Sequence, residues 1–255
     1  MKQIIMAGII AFGTVGWFGE EEKVNLTELE QQHFQMFGFS EPTVTKETYE
    51  KFIDLDESAI VGIDTTYMEM EYDQQGNMLE AREITETQAH TRSSQSLQGG
   101  DDYSTTDWME MALIVTQLDS ETYEAVNSWS FMGDSPIAHF RDVMAITHDT
   151  GVVSDSSTAT FNYTTSVATG SPRDPEIHNS GHAWPFDLER GTSQSGNMSI
   201  ELLDNGSTRA AVYGHYLHSN TPNWFNNVGI SAGAISVSGF GDSSSMPTTE
   251  VIIEW

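Results

Sequence analysis

The chain has 255 residues, no cysteine, and 38 acidic against 10 basic residues, a formal charge of −28 at pH 7. This field repels polyanions, so nucleic acid and anionic membrane surfaces are poor partners, and the missing cysteines exclude disulfide scaffolds, thiolate metal centres and thiol catalysis. The last lysine is Lys51 and only six arginines follow, so most carboxylates are solvated or hold a loosely bound cation such as Ca²⁺.

The first residues, from Ile4 to Phe18, form an apolar stretch broken by glycines and followed by Glu20, Glu21 and Glu22. This pattern reads over 1–19 as a secretion signal or an apolar N-terminal segment, and it is short for a stable transmembrane span. Residues 20–58 read as an acidic helical extension. There Asn25 to Phe39 gives a helix with Asn25 as cap and Leu26, Leu29, Phe34 and Phe37 on its apolar side. A shorter helix is expected from a Thr45 cap to Ile53. In the same region "DLDESAIVGIDT", from Asp54, fails as a calcium loop, since it lacks the sixth-place glycine and the closing acid.

From Ile60 onward the apolar period becomes two. "TYMEMEYDQQGNMLEAREIT" predicts two strands joined at Gly76-Asn77, and Met109, Met111, Leu113 and Val115 alternate against Tyr123, Ala125, Trp129 and Phe131 in a second hairpin. Arg141–His148, Thr158–Thr169, Asn197–Leu203, Thr208–His218, Val228–Phe240 and the closing "TEVIIEW" complete about nine or ten strands. One apolar and one polar face per strand predict an all-β, antiparallel β-sandwich or jelly-roll-like fold, with 59–255 as a single β-sandwich domain.

Asn205-Gly206 predicts a two-residue hairpin that sets Leu202 opposite Arg209 and Ile200 opposite Ala211. In the strand that follows, "VYGHYLHSN", His215 and His218 then point to opposite faces, which argues against a shared metal. His215 reads as a hydrogen-bonded, partly buried histidine and His218 as an exposed one near the strand end. "GISAG", Gly229–Gly233, matches a nucleophile-elbow pattern, but strand-like residues follow Ser231 and no histidine occurs after His218. The segment 170–187 reads as a long loop and holds the richest set of candidates. His178 and His182 with Asp187 are candidate metal ligands; Arg173, Asp174 and Trp184, together with Trp224 in "NTPNWFNN", are candidate ligand-binding residues. The same segment reads first as a proline-pinned connection that Trp184 anchors to the core.

The expected function is an exported, non-enzymatic β-sandwich at the cell surface or secreted, recognising a ligand or surface glycan through its end loops. Two alternatives come from the same residues. Ser/Thr/Gly-rich alternation in Thr158–Thr169 and Gly229–Gly239 suits a membrane-active or pore-forming β protein, and His178 with His182 suits a metal-assisted hydrolase.

Overall fold

A computed structural model describes residues 22–73, 78–93, 105–132, 141–165, 169–170, 176–187, 194–219, 227–238, 243–245 and 248–255. The chain opens with β1 (Lys23–Asn25), α1 (Glu28–Gln35), β2 (Thr43–Thr45) and α2 (Lys46–Phe52), followed by one 3-10 turn, Glu57–Ala59. Two long hairpins come next: β3 (Ile60–Tyr72) with β4 (Met78–Ile84), then, after α3 (Glu86–Ser93), β5 (Thr105–Gln117) with β6 (Thr122–Phe131). The second half contains β7 (Arg141–His148), β8 (Val152–Thr165), β9 (Thr169–Gly170), β10 (Glu176–His178), β11 (Gly181–Asp187), β12 (Gln194–Asp204) and β13 (Arg209–Ser219). It ends with β14 (Asn227–Ser231), β15 (Ala234–Ser238), β16 (Ser243–Ser245) and β17 (Thr249–Glu254).

Two antiparallel sheets face each other, as the two-residue period predicts. One has the strand order β4-β3-β5-β6-β12-β8-β9; the other has β10-β11-β7-β13-β16, with β17 also on β13. Inward side chains of both fill one core, in which Met68, Met70, Met109, Met111, Leu113 and Trp129 of the larger sheet meet Met144, Ile146, Trp184, Phe186, Val212 and Tyr216 of the smaller. A buried amide ties the layers: Asn127 Nδ2 donates to Ala145 O at 3.1 Å and His215 O at 3.3 Å. Opposite it stands Gly214, where a Cβ would lie 2.6 Å from Asn127 Oδ1 and 2.4 Å from Thr249 Oγ1.

Three local expectations are corrected. The N-terminal helix is capped by Thr27 with Glu30 in a capping box, not by Asn25, which ends β1; the shift leaves Leu29 79% exposed. The Asn205-Gly206 turn does not close a hairpin. Both edges of β12 are already occupied by β6 and β8, so the turn carries the chain across to the other sheet, with Asn205 N–H donating to Gly151 O. Val228–Phe240 is not one strand: β14 and β15 fold back on each other around Ala232-Gly233, and Ile230 and Ile235 lie over Val143, Ala145, Ala183 and Leu217. The Gly76-Asn77 turn and residues 1–19 lie outside the described residues.

The α1 and α2 segment forms a cap on the outer face of the larger sheet. Phe34, Phe37, Phe39, Phe52, Leu26 and Val44 cluster over Val126 of β6. At the end of α1 the chain turns through Gly38 at φ +89°, and a Cβ there would lie 2.9 Å from Val126 Cγ1. Glycine is therefore required twice, for the left-handed turn and for the close approach. Beside this cluster Lys51 Nζ lies 3.4 Å from Glu124 Oε2 and 3.2 Å from Glu201 Oε2 on the sheet. Burial opposes the ammonium, but Glu124, Glu201 and Glu47 together hold it above the usual lysine value. For Glu124 burial is the larger effect and raises its carboxyl despite Lys51.

Two stability outcomes follow from these contacts. Gly214→Ala should lower unfolding stability by about 1–3 kcal/mol, because the new methyl must displace Asn127 or Thr249. Lys51→Met should cost about 1–3 kcal/mol, less than a fully enclosed pair because the lysine side chain is 22% exposed. Urea unfolding measures both, and an unchanged midpoint in either variant contradicts the corresponding contact.

Candidate functional site

The sequence-derived metal set does not converge. The segment expected to be a loop contains the β10–β11 hairpin, whose register pairs His178 with Gly181 and Ile177 with His182. Side chains alternate along a strand, so His178 and His182 fall on opposite faces. His178 is exposed, whereas His182 is buried, its Nε2 3.1 Å from Ser154 Oγ. Asp187 lies at the far end of β11, about 17 Å of strand from His182. Among the described residues no group of three or more His, Asp or Glu side chains is placed to hold a metal ion.

Trp184 is 6% exposed, with its ring 5.9 Å from that of Phe161 inside the core, so it offers no face to a ligand. Its place follows from alternation with Phe186, which also points inward. Arg173, Asp174 and Trp224 lie outside the described residues.

His215 and His218 do take opposite faces of β13. His215 meets Thr147 Oγ1 at 2.8 Å, and burial pushes its imidazole down to about 4, so it is neutral across the physiological range. His218 is not exposed, as the sequence suggested, but fully buried, its Nδ1 2.8 Å from Asp142 Oδ1. Tyr216 donates to the other oxygen of Asp142, and burial, together with that carboxylate, holds the phenol well above its usual value. Asp142, His218 and Tyr216 are each at most 1% exposed, so the group joins strands inside the core rather than meeting solvent. Ser231 sits on the β14–β15 hairpin with its hydroxyl 3.4 Å from Ala234 O, not between a strand and a helix.

The open chemistry lies elsewhere, on the outer face of the larger sheet. Register across β3, β5, β6 and β12 stacks the outward residues into rows. Ile63, Ile114 and Val126 form one row, and the cap covers Val126. The next row is Thr65, Ala112, Ser128 and Asn197, and the one after it is Tyr67, Glu110, Ser130 and Ser195. These rows contain mainly small and hydroxyl side chains, so the surface is low between the cap and α3. Two adjoining concavities of about 390 and 540 Å³ result, meeting at Thr65. Together they make a trench across the strands, walled by Met36, Gly38 and Ser40 on the cap side and by Glu83 to Gln88 on the other.

Polar and apolar groups share this trench. Ile63 is 56% exposed at its edge, and the Tyr67 ring stands 6.1 Å from that of His90. Burial raises the Glu110 carboxyl and Glu86 adds to this, while His90 pulls it back. Beyond it Glu69 is buried and already engaged, accepting from Arg82 Nε at 2.8 Å and Trp108 Nε1 at 3.2 Å. Sequence reasoning missed the trench because its residues carry no motif. The available signal was the run of small outward residues Thr65, Ala112, Ser128 and Ser130 on adjacent strands, which becomes visible only with the register.

No family model and no curated protein matches the chain. Among solved structures, it is similar to the collagen-binding domain from a Staphylococcus aureus adhesin at 7% identity and a TM-score of 0.34, over 53% of this chain and 89% of that one. The collagen-binding subdomain of the Enterococcus faecalis surface protein ACE gives the same four values. The pilus backbone from Streptococcus pneumoniae gives 9% identity and a TM-score of 0.33, over 52% of this chain and 41% of that one. At this distance the ligand has to be read from the chain's own surface.

Proposed function

We propose that this chain is an exported, non-enzymatic β-sandwich that recognises an extended neutral glycan outside the cell or at its surface. The supporting observation is the open trench between cap and α3, with Thr65, Ser128 and Ser130 hydroxyls on its floor and Glu110 and Tyr67 beside them. Hydroxyls and a carboxylate are hydrogen-bonding partners for sugar hydroxyls, and an aromatic edge with exposed Ile63 suits the apolar face of a sugar ring. The charge of −28 disfavours an acidic glycan. From β3 to β6 the floor crosses two interstrand spacings, about 10 Å, which suits a single extended chain. Export rests on the apolar Ile4–Phe18 stretch. The same reading keeps Arg173, Asp174 and Trp224 as further contacts, to be tested by alanine substitution.

An array of immobilised neutral polysaccharides should give at least one specific binder. Thr65→Arg and Ser130→Trp fill the trench at exposed positions, so each should weaken that binding tenfold or more without shifting the melting temperature. Binding to no neutral glycan, or binding unchanged in both variants, overturns the proposal.

A further inference from the structure

The wall of the trench nearest α1 is held by a contact in which two groups lack the hydrogen bonds their burial demands. Glu41, in the turn between α1 and β2, is 6% exposed, and Asn197 of β12 is 1% exposed. Asn197 Nδ2 donates to Glu41 Oε2, yet Glu41 Oε1 and Asn197 Oδ1 are both buried with no hydrogen-bond partner of good geometry. Two acceptors at one contact, each left without a well-placed donor, leave a place for one proton. A carboxylic acid supplies it: an O–H on Oε1 can donate to Asn197 Oδ1 while the amide N–H donates to Oε2, giving a paired acid and amide with both oxygens satisfied.

We infer that the Glu41–Asn197 contact is a proton-dependent latch, which seats the N-terminal cap on the sheet when the carboxyl is neutral and weakens when it ionises. Ser40, beside Glu41, lines the trench with Met36 and Gly38, so the latch also sets the shape of the binding surface. Burial pushes the Glu41 carboxyl up to about 7. The Glu41 and Ser40 backbone amides, Asn197 and the Lys23 ammonium on β1 all favour the charged form, and burial outweighs them. On the same interface Glu124 is raised in the same sense, by burial against the attraction of Lys51.

The sign is fixed by linkage. An undocked Glu41 ionises near 4.5 and a docked one near 7, so the docked state holds the extra proton between these values. Docking is strongest below pH 4.5, weakens as pH rises toward 7, and above that has lost the contribution of Glu41. The two values correspond to roughly a 10²-fold fall in the docking constant.

Amide hydrogen exchange on the full chain, without ligand, tests the latch independently of any glycan. Between pH 4.5 and 8, protection of the Phe37 and Phe39 amides, both bonded to Phe34 O, should fall roughly 10²-fold after correction for intrinsic rates, while that of Ile200 in β12 should stay level. Glu41→Gln keeps a donor toward Asn197 Oδ1 without a titrating proton, and should remove at least tenfold of that change; Glu124 accounts for what remains. A Glu41→Gln profile that superposes on the wild-type one overturns the inference. Carbon-13 titration of the wild-type Glu41 carboxyl gives a second reading: a midpoint near 7 supports the latch, and one at or below the ordinary 4.5 overturns it.

Discussion

Apolar desolvation decides which rows of the larger sheet stay open. Val126 on its outer face cannot be left to water cheaply, and Phe34, Phe37, Phe39 and Phe52 cluster over it, while Gly38 of the cap approaches Ile114. A fully buried phenylalanine contributes about 1.5–3 kcal/mol, so these four side chains stabilise two helices that are too short to persist on helix propensity alone. The neighbouring rows carry Thr65, Ala112, Ser128 and Ser130, which gain little from cover. The cap therefore ends at an edge formed by Met36, Gly38 and Ser40, and the trench begins there.

Charge then orients the cap. All four lysines of the chain precede residue 52, whereas the sheet beneath offers Glu124 and Glu201. In a chain of −28 an ammonium placed between these carboxylates relieves repulsion where burial makes it costliest. Apolar cover, ion pairing and the Glu41–Asn197 contact thus act on the same interface, and the trench wall inherits the sensitivity of all three.

The sequence displayed the core well, because a two-residue period is a local property. The alternations Met109 to Val115 and Tyr123 to Phe131 became the paired strands β5 and β6, and the Thr45 cap began α2. It displayed connections less well. Asn205-Gly206 has the chemistry of a hairpin, but a turn is blind to whether the edges of its strand are already taken, and those of β12 are. Site residues failed for a related reason: Trp184 and His218 look available in a string of letters, and only their facing toward Phe161 and Asp142 makes them interior. The trench itself depends on four strands in register, information no single segment contains.

Nuclear Overhauser contacts from the Val126 methyl groups in the methyl-labelled full chain test the placement of the cap most directly. Cross-peaks to the Gly38 α protons and the Phe52 ring are the expected result, since a Cβ at Gly38 would touch Val126 Cγ1 and Phe52 lies in the same cluster. Random-coil shifts across residues 26–55, with no such cross-peaks at any pH from 4.5 to 8, would contradict a docked cap and with it the trench.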